Sequence, residues 1–174
     1  LDCEVIHLTK HETSQGMKKI REFAPDLIHF NNLPTRQVFN DLSSIAPSVL
    51  MLHSQFPIIC PGDGKFSISK MEPCKRKVGP YCLAGPIAQR CGTRNILDHG
   101  KNYVDASYFK ENINKVSQII VASQFMKDEL IANDYNSDSI SVLPLGIPDV
   151  QNTYQPKKEI WPIFLFVGRF VPSK

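Results

Sequence analysis

His29 and His53 each close an apolar run, DLIHF and VLMLH, with Asn31, Asn32, Ser54 and Gln55 directly behind them. Imidazoles flanked by amides and hydroxyls can hydrogen-bond a polar ligand, and an imidazole can exchange a proton near neutral pH. One histidine at a strand end is more often structural. Two of them, one helix–strand unit apart, could project over the same edge and favour a polar cleft, with His53 the stronger candidate and His29, Asn31 and Ser54 beside it.

A second concentration of chemistry lies between residues 54 and 104. Cys60, Cys74, Cys82 and Cys91 follow one another at spacings of 14, 8 and 9, without a Cys-x-x-Cys pair. The density suits a structural zinc site and the spacing does not, so zinc, disulfides and simple buried thiols all stay open. PGDGKF is not a phosphate-binding P-loop, because Phe66 stands where Ser or Thr would hold magnesium, and the earlier glycine is missing. It reads as a tight turn. Between residues 60 and 101 eight Lys and Arg face three acidic residues, so a net charge of +3 for the chain conceals a local +5. A solvated loop surface is the ordinary meaning, and a docking face for an anionic partner or membrane the sharper one.

A third group ends the chain. Ile163 to Val167 is an uninterrupted apolar run, followed by Gly168, Arg169 and, five residues on, Lys174. Glycine lets the backbone turn sharply, which would bring both cations to the carboxyl edge of a strand.

These groups need a scaffold. With 174 residues, 42% hydrophobic and 21% charged, the chain can bury one ordinary core. It holds nothing near the roughly 20 apolar residues of a membrane span. The start, LDCEVIHLTK, has neither an initiator Met nor an apolar export signal, and the cysteine count of five is odd. Together these predict a cytoplasmic protein with reduced thiols, cut at its front. Along the chain, Glu4 to Leu8 reads as a strand, Ser14 to Ala24 as a helix stopped by Pro25, and Asp26 to Phe30 as a strand. Thr35 to Ala46 repeats the helical period through Val38, Leu42 and Ile45. It leads past Pro47 into Val49 to Leu52, an apolar run expected to be buried on both faces. After the interruption come Ile119 to Ala122 as a strand, Ser123 as N-cap of a helix to Asn133, and Ile140 to Leu143 as a strand. The alternation predicts an α/β fold, a Rossmann-like doubly wound parallel sheet carrying a long Cys-containing insertion.

VLPLGIPD at 142–149, the connector Gln151 to Glu159 and IFLFVGRFVPSK together resemble the hinge and second-domain entry of the retaining glycosyltransferases of family 4. PDLIHFNN, MLHSQF and VASQFMKDELI resemble earlier segments of that family, in order, and the Cys loop looks like an insertion in one branch of it. The resemblance implies the N-terminal, acceptor-side half of a two-domain GT-B enzyme. Residues 1–150 would form the Rossmann-like domain with its insertion at 54–104, 151–160 the interdomain linker, and 161–174 the start of a truncated donor-binding domain.

It further implies transfer of a sugar from a nucleotide-sugar to a glycan or lipid-linked acceptor with retention at the anomeric carbon, and a segment inactive alone. His53 would be the catalytic strand-end His. Gly168, Arg169 and Lys174 would bind the donor diphosphate. No cofactor is required for catalysis and no nucleic acid is expected. Zinc at the Cys loop and a peripheral seat on the inner, anionic face of the membrane are the additional expectations. A GT-B epimerase or phosphorylase, or a metal-dependent binding module built on the Cys loop, are the alternatives.

Overall fold

The computed structural model describes residues 3–7, 13–62, 64–92 and 95–146. The linker, the apolar run at 163–167 and Gly168, Arg169 and Lys174 lie outside the described residues.

The scaffold is a mixed α/β fold on a four-stranded sheet. Its strands are β1 (Ile28–Phe30), β2 (Ser48–Leu52), β5 (Gln118–Val121) and β6 (Ile140–Val142), all parallel and in the order β1-β2-β5-β6. The register sets His29 beside Val49, Leu50 beside Ile119, and Ile119 beside Ile140. This topology is compatible with a Rossmann-like arrangement.

Helices make the crossovers. α1 (Thr13–Phe23) precedes β1, α2 (Arg36–Ser43) joins β1 to β2, and α5 (Gln124–Ala132) joins β5 to β6. Each start is chemically marked. Thr35 accepts from the Val38 N–H and Ser123 from the Met126 N–H, satisfying backbone donors that the first turn leaves unpaired. α1 ends where Ala24, at φ 49°, donates its N–H to Ile20 O before Pro25 prevents continuation.

The core lies on one face of the sheet. Phe39 of α2, Leu50 of β2 and Val121 of β5 are completely buried, and Phe39 stacks edge-on against Phe109 at 5.3 Å. Phe109 belongs to α4 (Ile96–Asn112), so the β1–β2 and β2–β5 crossover helices touch. A strand order that runs in one direction, with right-handed crossovers, places these helices on the same side.

Three expectations change here. The run Val49 to Leu52 was expected to be buried on both faces, but Val49 and Met51 are half-buried, and β1 alternates likewise, with Ile28 and Phe30 buried and His29 between them exposed. One-sided helix packing explains that alternation. The strand expected from Glu4 to Leu8 is not formed over residues 4–7, which are exposed and pair with no neighbour among the described residues. Finally, the insertion expected at 54–104, which showed no clear strand pattern, contains a hairpin of β3 (Phe66–Ser67) and β4 (Glu72–Pro73), a 3₁₀ turn at Pro80–Ala84, the short α3 (Gly85–Ala88) and the first half of α4. The expected boundary at residue 104 thus falls inside a helix whose N-cap is Asn95.

Candidate functional site

The carboxyl ends of β1 and β2 bring two of the expected residues together. Asn31 follows the last residue of β1 and His53 the last residue of β2, and His53 Nε2 donates to Asn31 Oδ1 at 3.2 Å. Neighbouring parallel strands end side by side, so residues 22 apart in sequence become adjacent. Both are exposed. With Nε2–H committed to Asn31, a neutral His53 keeps Nδ1 as an acceptor for a ligand hydroxyl.

Ser54 extends the same edge, but its hydroxyl donates to Phe56 O at 3.1 Å. Asn32 turns back locally, with Oδ1 accepting from the Leu33 N–H. His29 is not part of this group. It occupies the middle of β1, exposed on the face opposite Ile28 and Phe30. An open cleft lined by Ile6, His7, Lys19, Glu22 and Phe23 sits against the last turn of α1, which feeds the amino end of β1.

Beyond β2 the chain returns to the core through Ile58 and Ile59, where Tyr135 OH donates to Ile58 O at 3.3 Å. The Cys loop then docks on the C-terminal half of α5 and the residues after it. Lys65 Nζ meets Glu129 Oε2 at 2.6 Å, Lys77 Nζ meets Asp134 Oδ1 at 2.5 Å, and the Val78 N–H donates to Asn133 Oδ1 at 3.0 Å. Lys65 was counted with the surface charge in the sequence, yet it is 7% exposed. Nothing in PGDGKF announces an acidic partner 64 residues away. Gly64 and Lys65 have φ of 74° and 52°, as the expected tight turn requires. The hydrogen bond from Lys77 holds the Asp134 carboxyl below the usual range.

Ion pairing removes part of the local positive charge. Lys75, Arg76, Arg90 and Lys101 are exposed and have no carboxylate partner among the described residues, and Arg76 lies over the Tyr81 ring at 5.4 Å.

The four loop cysteines are free thiols, each half-buried. Burial pushes the Cys60 thiol up to about 11, against backbone N–H groups of Lys65 and Gly62 that favour its thiolate. Burial also raises Cys82 and Cys91, as do neighbouring cysteines. Among the described residues, no group of three or more His, Cys, Asp and Glu side chains is placed to hold a metal ion. His99, 2% exposed on the first turn of α4, donates through Nε2 to Cys82 O at 2.7 Å. Its Nδ1 is buried without a hydrogen-bond partner among the described residues. No described helix is long and apolar enough to cross a membrane.

No protein-family model, no curated protein and no solved structure matches this chain.

Proposed function

We propose that this chain is the acceptor-side, Rossmann-like domain of a retaining glycosyltransferase of GT-B architecture. It would serve transfer of a sugar from a nucleotide-sugar to a lipid-linked or glycan acceptor. The observation that carries the reading is the His53–Asn31 hydrogen bond across the carboxyl ends of two adjacent parallel strands. Open α/β sheets bind ligands beyond those ends. The ordered resemblance of PDLIHFNN, MLHSQF, VASQFMKDELI and FVGRFVPSK to family 4 enzymes supplies the reaction class.

In this reaction the bond from the anomeric carbon to the phosphate oxygen breaks. A bond from the acceptor oxygen forms on the same face, and the acceptor proton leaves with the nucleoside diphosphate or solvent. Negative charge accumulates on the departing diphosphate, and Arg169 and Lys174 are assigned to stabilise it as fixed cations. His53, oriented by Asn31, holds a sugar hydroxyl from the opposite wall through Nδ1. A lipid-linked acceptor, presented at an anionic membrane surface, is favoured over a soluble glycan because one stretch of chain, residues 75–101, exposes both Leu83, Ile87 and Leu97 and the cations Lys75, Arg90 and Lys101.

The test is product analysis with the full-length protein, supplied with UDP- or GDP-sugars and either a lipid-linked or a soluble acceptor. The expected result is a retained anomer, with preference for the lipid carrier. His53→Ala and Arg169→Ala should each lower turnover by about 100-fold or more. Isomerised donor with no acceptor consumed, or wild-type turnover in both variants, would overturn the assignment.

A further inference from the structure

The Cys loop buries small and polar residues and leaves large apolar ones outside. Between Cys60 and Gly92 the buried described residues are Pro61, Gly62, Lys65, Ser67, Gly85 and Pro86. Met71, Leu83 and Ile87 are exposed, Ile87 by 77%. The loop is held on the domain without them, because Lys65, Lys77 and the Val78 N–H bind Glu129, Asp134 and Asn133. Leaving such side chains in water forgoes the stabilisation that burial would give, so their exposure needs another reason.

Hydrogen bonds tie together the segments that carry these residues. Ser69, two residues before Met71, donates its N–H to Gln89 O at 3.2 Å and its hydroxyl to Ala88 O at 3.4 Å, which seats the β3–β4 hairpin on the end of α3. Ile87 lies in α3, and the 3₁₀ turn that carries Leu83 runs directly into it, the Gly85 N–H donating to Cys82 O. His99 donates to the same carbonyl at 2.7 Å and so fixes the first turn of α4 to that turn. There Ile96 and Leu97 are exposed, Leu97 by 84%, although His99, Ala106 and Phe109 of the same helix are buried. Cations accompany them. Lys101 follows Leu97 by four residues and shares its side of α4. Arg90 lies three residues after Ile87, and Lys75 and Arg76 lie just before the turn, with Arg76 over the Tyr81 ring at 5.4 Å. None of these four has a carboxylate partner among the described residues.

We propose that the Cys loop and the first turn of α4 form a docking surface for an anionic lipid bilayer. Leu83, Ile87 and Leu97 enter the boundary between headgroups and acyl chains, and Lys75, Arg76, Arg90 and Lys101 meet the lipid phosphates. Tyr81, with an apolar ring and a polar tip, suits the same boundary. A bilayer fits this chemistry better than the other anionic partners. Aliphatic side chains presented from a turn and from short or starting helices need no shaped counterpart in a fluid acyl layer, whereas a folded protein must supply a closely packed one. A nucleic acid would answer the cations and leave the aliphatic groups in water. The inference deepens the lipid-linked form of the proposed reaction and rests on that reading for its purpose, but the binding itself requires no sugar donor and is measured without one.

The test is co-sedimentation of the 174-residue chain with extruded vesicles, either pure phosphatidylcholine or containing roughly one-third phosphatidylglycerol, with no sugar donor or acceptor present. The expected result is binding at least about 10-fold tighter to the anionic vesicles, falling as salt is raised. Ile87→Ser with Leu97→Ser should weaken that binding by about 10-fold or more, and so should Lys75→Ala, Arg90→Ala and Lys101→Ala together. All five side chains are exposed, so both variants should keep the wild-type midpoint in urea, which separates lost docking from lost folding. No sedimentation with anionic vesicles, equal binding to both compositions, or equally tight binding to duplex DNA would overturn the proposal. So would wild-type binding by the apolar variant, which would reduce the surface to a basic patch. Vesicle binding without sugar transfer in the product analysis would remove the glycosyltransferase reading and leave this one standing, whereas transfer by a protein that does not bind vesicles would do the reverse.

Discussion

Phe39 shows how much a single side chain decides. It is completely buried, 5.8 Å from the Phe30 ring and 5.3 Å from Phe109, so it joins α2 to the first strand and to α4 at once. Truncation would remove a large apolar surface and both ring contacts, leaving a void that the packed sheet cannot readily close. Phe39→Ala is therefore expected to destabilise the fold by about 3 to 5 kcal/mol, measured by urea unfolding. A loss below about 1 kcal/mol would show that this junction is not the centre of the core. The sequence did not single Phe39 out. Its apparent stripe ran through Val38, Leu42 and Ile45, yet Val38 and Ile45 are half-buried rim positions. Periodicity finds the face of a helix more readily than its deepest residue. For the site, adjacency of Asn31 and His53 was legible because successive parallel strands end together. His29 was misplaced because the run DLIHF looks continuous, whereas its mid-strand alternation turns the imidazole away from the core.

At the level of elements, the strands and capped helices were readable because their signals are local: apolar runs bounded by Pro or Asn, and Thr35 and Ser123 at helix starts. α4 was not readable. It buries His99, Ala106 and Phe109 while exposing Ile96, Leu97 and Val104, so hydrophobicity and burial point to different faces. The docking of the Cys loop was equally hidden, because Lys65 and Glu129 are distant in sequence. That pair carries a clear expectation. The Lys65 side chain is 8% exposed and that of Glu129 24%, so removing one partner leaves the other charge incompletely solvated. Lys65→Met should destabilise the fold by about 2 to 3 kcal/mol, less than for a fully enclosed pair, because Glu129 retains some contact with water. In Lys65→Met with Glu129→Leu much of that loss should return, since two apolar groups replace two desolvated charges. Strictly additive effects in this double-mutant cycle would show that the ion pair does not anchor the loop.

Across the whole molecule, the polar pair Asn31 and His53 belongs to the strand ends, while the exposed cations Lys75, Arg76 and Arg90 belong to a different segment, the Cys loop tied to Glu129 and Asp134. The separation matters for the proposed chemistry, because Asn31 and His53 are exposed and no cation belongs to their hydrogen-bond pair. A nucleotide-sugar carries two phosphates, and its tight binding needs fixed N–H donors or cations converging on them. Lys65 and Lys77 are already engaged with Glu129 and Asp134, which leaves neither free to answer that need. Under the proposed division of labour the donor is held mainly by a second domain, with this one supplying the acceptor wall. The 174-residue chain on its own is accordingly expected to bind UDP- or GDP-sugars no more tightly than about millimolar in calorimetric titration. Micromolar binding would place a complete donor site within this chain and overturn the acceptor-side assignment, whereas restored binding in a longer protein carrying the second domain, lost again in Arg169→Ala, would locate the diphosphate where the FVGRFVPSK resemblance puts it.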